Sequence, residues 1–276
     1  MSVNVGFMQG RLSPIINGRI QSFPWKTWEQ EIVQAKSIGL DIMEWTLDQE
    51  GLYENPVMTS SGQSKIYALC NEYDFSIPSL TGDCFMQAPF WKTIDNELSD
   101  KLKTDFNSIL EACSKVGIRY IVVPLVDNGR LENMQQENIL IDFLLGLESK
   151  LINLDLKIIF ESDFQPAELK RFISRLNGHL FGINYDTGNS AALGLNPVKE
   201  FDAIGGRILN VHIKDRLLGG TTVPLGEGDV DFTTIFSLLK SQGYEYNYIL
   251  QTARASDEKH MEALSKYHNY IVSGLR

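Results

Sequence analysis

The stretch KIIFESDFQPAELKRFISRLNGHLFGINYD, residues 157–186, decides the fold. Lys157–Glu161 is a short β-rich run that ends on a carboxylate. Pro166–Leu176 reads as a helix, with Pro166 suited to its first turn. Phe181–Asp186 is a second β-rich run, again ending on a carboxylate. Strand, helix and strand in succession imply parallel neighbours, because parallel strands need a crossover connection.

The same unit repeats in both directions. Toward the C-terminus, Pro197–Ile204 is a short helix and Arg207–His212 a strand. Phe232–Ser241 is a helix, Tyr246–Gln251 the last strand, and Glu258–Val272 a closing helix. Toward the N-terminus, Val3–Gln9 is a strand followed by a helix over Thr27–Ile38. The apolar positions Ile32, Ala35 and Ile38 form its stripe, and Gly39 ends it. Asp41–Thr46 and Phe75–Leu80 are the next strands, with a helix over Ser61–Tyr73 between them. A long helix over Ile94–Val116, closed by Gly117, leads to the strand Arg119–Pro124 and a helix over Met134–Ile152.

Eight βα units in 276 residues match the size of one complete (β/α)₈ domain. The rival is an open doubly wound sheet, which usually opens with a glycine-rich phosphate turn. No GxGxxG follows the first strand. The reading is an α/β protein, a single-domain (β/α)₈ barrel of the TIM type over residues 1–276.

In such a barrel, polar side chains at the strand C-termini line the active site. The last four strands end in Glu161, Asp186, His212 and Gln251. Side chains alternate along a strand, so Ile159, Asn184, Asn210 and Ile249 share their direction. The other register holds Ile158, Phe160, Ile183, Tyr185, Leu209, Val211, Tyr248 and Leu250. It is strongly apolar and is expected against the helices. All four end residues are therefore expected at the barrel mouth. Two carboxylates, one imidazole and one amide oxygen suit a divalent ion such as Mn²⁺, Mg²⁺, Co²⁺ or Zn²⁺. The plainer reading is that strand ends are often polar. It weakens when four consecutive strands agree in register.

Composition narrows the function classes. Hydrophobic residues make up 43% and charged residues 22%, ordinary for a soluble globular domain. The net charge is −10, and lysine and arginine are dispersed, which argues against a nucleic-acid partner. There is no membrane-length apolar run and no leader pattern, so a cytoplasmic protein is expected. Cys70, Cys84 and Cys113 are scattered and form neither a disulfide framework nor a zinc signature.

The order Glu, Asp, His and a final carboxamide on strands five to eight resembles the xylose isomerase-like TIM barrels, of the sugar-phosphate isomerase/epimerase type. Further likeness lies in Phe7-Met8-Gln9-Gly10-Arg11-Leu12-Ser13-Pro14, Gln21-Ser22-Phe23-Pro24-Trp25 and His212-Ile213-Lys214-Asp215-Arg216. The run Pro224-Leu225-Gly226-Glu227-Gly228-Asp229-Val230-Asp231-Phe232 belongs with them. The resemblance implies a divalent metal held by Glu161, Asp186, His212 and Gln251, and a small sugar or sugar phosphate as substrate. It implies proton abstraction by Glu161 next to a carbonyl, through a metal-stabilised enediolate. In that family the last ligand is normally a glutamate, paired with the strand-five glutamate as acid and base. Gln251 departs from that pattern, and Asn189 stands where a histidine is frequent. The second proton-transfer group would then be Asp215, Asp83, Glu44 or Glu161 itself.

Each remaining candidate has a plainer reading. Glu44 could bind a substrate hydroxyl, or be a solvated rim residue. Arg11 could grip a phosphate with its bidentate fork, or be a surface arginine. Lys214 could hold a substrate oxygen and Asp215 could orient His212, or the two could form a structural ion pair. Arg216 could hold a phosphate, or lie on the surface. Trp25, Phe85, Phe90 and Trp91 could wall the sugar, pack a loop, or form a homo-oligomer interface. Three other functions compete with an isomerase or epimerase. One is an inosose or keto-sugar dehydratase of the same fold, and a second is a sugar-binding protein weakened by Gln251. The third is an endonuclease IV-like enzyme, which would need a richer histidine set than the four present.

Overall fold

The computed structural model describes residues 4–16, 18–255 and 258–275. Eight parallel strands form its inner wall. They are β1 Val5–Met8, β2 Ile42–Thr46, β3 Ser76–Thr81, β4 Tyr120–Leu125, β5 Lys157–Ser162, β6 Phe181–Asp186, β7 Ile208–Ile213 and β8 Asn247–Leu250. Each pairs with its neighbours in sequence, and β8 returns to β1 to close the barrel. The (β/α)₈ expectation is met. Val3, expected in the first strand, lies outside the described residues. No helix among the described residues is long and apolar enough to cross a membrane.

Helices Trp28–Ser37, Ser60–Tyr73, Asn96–Lys115, Pro166–Ile173, Phe232–Ser241 and His260–Gly274 belong to the outer layer. The apolar strand faces pack beneath that layer. Phe160, for example, lies edge-on to Phe172 with ring centres 5.2 Å apart. The helix expected over Met134–Ile152 is two helices, Met134–Gly146 and Glu148–Leu154. A tighter turn separates them, in which the Leu147 N–H donates to Leu144 O at 3.0 Å. A short helix at Thr187–Ala192 was not anticipated.

The barrel interior corrects one register assignment. Leu209 was expected against the helices, but it packs on Val122 and Ile159, apart from the main core. The ladder between β6 and β7 slips there. Ile183 faces Ile208, and Asn184 faces Asn210, so Leu209 is the extra residue of a bulge. Gly182 makes room for it. A Cβ on Gly182 would lie 2.6 Å from Leu209 Cδ1 and 2.9 Å from Arg207 O. Val122, Ile159 and Leu209 thus form an apolar floor, and the polar residues sit above it.

Candidate active site

Above the floor the interior is a continuous polar network. Asn210 Nδ2 donates to Asn184 Oδ1 and to Glu44 Oε2, both at 2.8 Å. Glu44 Oε2 also accepts from Ser79 Oγ at 2.6 Å, and its Oε1 accepts from Thr81 Oγ1 at 2.5 Å. The fourth partner is His212, whose Nε2 lies 2.6 Å from Glu44 Oε1. Glu44 is fully buried. It is neither a rim residue nor solvated, which corrects the plainer reading offered for it. Its four partners occupy the lone-pair positions a carboxylate has. Burial alone would raise its pKa, but His212 and the two hydroxyls hold it below the ordinary glutamate value.

Glu44 sets the imidazole. With Nε2–H given to Glu44, Nδ1 is presented to the other carboxylates. It lies 3.1 Å from Glu161 Oε2 and 4.0 Å from Asp186 Oδ2. One ligand atom from each of Glu161, Asp186 and His212 falls within 4.8 Å of the others. All three residues are buried. Burial works against a charged His212, yet Glu44 and Glu161 prevail and raise its pKa to about 10. Glu161 is held low by the same imidazole and by Lys214, against the opposing effect of burial. Surroundings that hold an extra proton this firmly favour cationic charge.

The cluster is completed by two residues that the sequence did not mark as strongly. Asn184 Nδ2 donates to Glu161 Oε2 at 3.2 Å and lies 3.0 Å from His212 Nδ1. Asn189 stands on the short helix after β6, which Asp186 caps by accepting from the Asn189 N–H at 2.8 Å. From there Asn189 Nδ2 donates to Glu161 Oε1 at 2.6 Å. The alternation that flagged Asp186 also points Asn184 inward. No sequence signal showed that Asn189 would reach Glu161.

The other candidates divide. Lys214 Nζ pairs with Asp186 Oδ2 at 2.7 Å, so Lys214 belongs to this cluster. Arg216 Nη1 donates to Asn189 Oδ1 at 2.8 Å, and its Nη2 to Gly220 O at 2.7 Å. Asp215 is fully buried but committed elsewhere. Its carboxylate accepts the N–H groups of Gly226, Gly228 and Val230 at 2.8, 3.0 and 3.2 Å. It orders the 224–232 loop, and the orienting of His212 falls to Glu44 instead. Arg11 is buried, not on the surface. It donates to the carbonyls of Thr252 and Ile20, both at 2.9 Å, and ties the loop after β1 to the loop after β8. Burial, and then Arg254, bring its pKa down to about 9. Phe85, Phe90 and Trp91 are buried, with Phe85 and Phe90 packed on Phe106. Trp25 is half-exposed.

Gln251 is buried just beyond β8. Its Nε2 donates to Gln21 Oε1 at 2.9 Å, while its buried Oε1 has no hydrogen-bond partner. Gln21 Nε2 in turn donates to Asp83 Oδ2 at 2.8 Å. Gln21 thus joins the mouth from the loop after β1, and Asp83 from the first position of the short helix Asp83–Gln87 that follows β3.

A closed parallel barrel with a buried Glu–Asp–His cluster at its C-terminal mouth defines a class. The profile of the xylose isomerase-like TIM barrel family matches residues 32–267. The chain belongs to that family. It is 25% identical over 256 residues to the L-ribulose-5-phosphate 3-epimerase UlaE of Escherichia coli, covering 88% of each chain. Among solved structures it is similar to the D-allulose 3-epimerase of Methylomonas sp., with a TM-score of 0.77 and 16% identity, over 99% of this chain and 98% of that one. It is equally similar to the IolI protein solved with a bound zinc atom, with a TM-score of 0.77 and 19% identity over the same shares.

Proposed function

We propose that this protein is a metal-dependent isomerase or epimerase of a sugar or sugar phosphate. The observation that carries the reading is the convergence of Glu161, Asp186 and His212, with Glu44 fixing the imidazole from behind. Curated relatives that cover most of the chain are epimerases of a ketose phosphate. The residues present fit a divalent cation. The donors are oxygen and nitrogen, their surroundings favour positive charge, and Gln251 Oε1 is a buried acceptor without a hydrogen-bond partner. Glu161, Asp186 and His212 would hold it, with Gln251 as the fourth donor. When bound, a divalent ion polarises a substrate carbonyl and stabilises charge that develops on its oxygen.

The protein residues do the rest. Glu161 is the base that takes the proton from the carbon beside the carbonyl. Asn189 and Asn184 hold one oxygen of its carboxylate each, which fixes its direction. In the absence of an ion, His212 and Lys214 hold Glu161 below the ordinary glutamate pKa against the effect of burial, and a bound cation would act in the same direction. Lys214 balances Asp186. Return of the proton to the opposite face gives an epimer, and return to the neighbouring carbon gives the aldose.

The test is incubation of ketoses, ketose phosphates and inososes with the Mn²⁺-loaded protein in D₂O. Deuterium should enter a C–H bond next to a carbonyl, and a Glu161→Gln variant should lose that exchange. Loss of water from an inosose would instead identify a dehydratase. Absence of exchange from every compound, with metal bound, would overturn the enzyme reading in favour of a binding role.

A further inference from the structure

Epimerisation needs a second group, on the face of the substrate opposite Glu161. A carboxamide cannot act as that acid, so Gln251 does not supply it. Glu161 already serves as the base, and four other carboxylates near the mouth are each held by several partners. Glu44 has four partners beneath His212. Asp186 caps a helix and pairs with Lys214. Asp215 is held by three backbone N–H groups. Asp48 Oδ2 accepts from Phe23 N at 2.9 Å, and its Oδ1 accepts from Gln87 Nε2 at 2.8 Å. Asp83 is the exception. Among the described residues its carboxyl receives a single hydrogen bond, from Gln21.

We infer that Asp83 is the second proton-transfer residue of this site, linked through Gln21 to Gln251 at the end of β8. The inference rests on the isomerase/epimerase reading above. Its support is the connection Gln251–Gln21–Asp83, which joins the segments after β8, β1 and β3 at the mouth. Asp83 is 9% exposed. Burial and then Asp48 raise its pKa to about 7, with Glu161 adding to the rise and Gln21 and His212 opposing it. A raised pKa favours the protonated form that an acid needs. Glu161 removes the proton on one face and becomes neutral. Asp83 gives its own proton to the same carbon from the other face and becomes a carboxylate. Exchange with water then restores both groups. No oxidant or further reactant enters.

The experiment uses Mn²⁺-loaded protein in D₂O with a panel of ketoses that includes L-ribulose 5-phosphate. In the wild type, the first inverted product should carry solvent deuterium at the inverted carbon. Protium carried from substrate into that product would mean one base working on both faces, and would overturn the role of Asp83. In Asp83→Asn, which keeps an oxygen for Gln21, Glu161 should still exchange deuterium into recovered substrate. The inverted product should fall by about 10²–10⁴-fold. Asp83→Asn combined with Gln251→Glu should recover inversion, because a carboxyl group returns to the strand-eight position. Inversion at the wild-type rate in Asp83→Asn would overturn the proposal and leave the enzyme reading standing. So would loss of exchange together with inversion in a variant that still binds Mn²⁺ and melts like the parent. A wild type that binds Mn²⁺ but neither exchanges nor inverts any panel member would overturn the enzyme reading itself, and the Asp83 role with it.

Discussion

His212 works through both ring nitrogens, so its neighbours can be tested separately. Glu44 lies 2.6 Å from Nε2, on the side of the ring away from Glu161 and Asp186. Residues in that relation to a metal-binding histidine typically change affinity about 10–100-fold. Glu44→Gln is therefore expected to weaken Mn²⁺ binding by about that factor in calorimetric titration. His212→Ala should remove tight binding altogether, because it deletes the sole imidazole of the cluster. Equal affinity in the parent and the Glu44→Gln variant would mean that the Glu44–His212 pair has no part in holding a cation. Glu161→Gln should lower solvent exchange by about 10²–10⁴-fold, read by mass spectrometry of recovered ketose.

At the scale of elements, the β6–β7 bulge determines what stands on the barrel floor. Leu209 fills space that Gly182 leaves open, and a Cβ there would meet both the Leu209 side chain and the Arg207 carbonyl. Crowding a packed interior typically costs about 1–3 kcal/mol. Gly182→Ala should lower unfolding stability by that amount in denaturant titration. Adding Leu209→Ala should recover part of it, since one of the two obstacles is a side chain. Strict additivity of the two changes would show that Leu209 does not occupy that space. Asp215 acts on the same scale. A Cβ on Gly228 would fall on its carboxylate, so Gly228→Ala should loosen the 224–232 loop and raise its backbone hydrogen exchange.

The whole molecule carries a pH signature through Glu31, a buried acid far along the chain from the Glu–Asp–His cluster. Its carboxylate accepts the N–H groups of Gly10 and Leu12, both at 2.9 Å. Burial still dominates and raises its pKa to about 7. A raised acid pKa means that the folded state holds a proton the unfolded chain has released. Its stabilising contribution is therefore full below the unfolded value near 4.5 and is lost as pH rises through about 7. A Glu31→Gln variant should lack this dependence. Between about pH 5 and about pH 8 the parent should lose up to about 3 kcal/mol relative to the variant, measured as the difference in unfolding free energy. Parallel profiles for the two proteins would assign the pH dependence to other groups.

The repeating βα pattern was legible residue by residue, because strand and helix periodicities are local and each unit buries its own apolar face. The same alternation brought Glu161, Asp186 and His212 to one mouth, since period-two geometry carries a side chain's direction along a strand. Local pattern could not show Leu209 turned inward, because a bulge is a property of two paired strands. Nor could it show Glu44 beneath His212, 168 positions away in sequence. Asp215 and Arg11 have the composition of reactive residues, yet backbone groups of loops that meet only when the barrel closes hold the Asp215 carboxylate and two of the three Arg11 guanidinium nitrogens. Asp83 stands apart for the converse reason: closure surrounds it with low-dielectric protein and acidic neighbours while giving it one hydrogen-bond partner. The sequence by itself determined the barrel and the three converging donors. Tertiary structure decided which of the remaining polar side chains keep free atoms to act with, because hydrogen-bond commitment depends on neighbours that the chain brings together only by closing.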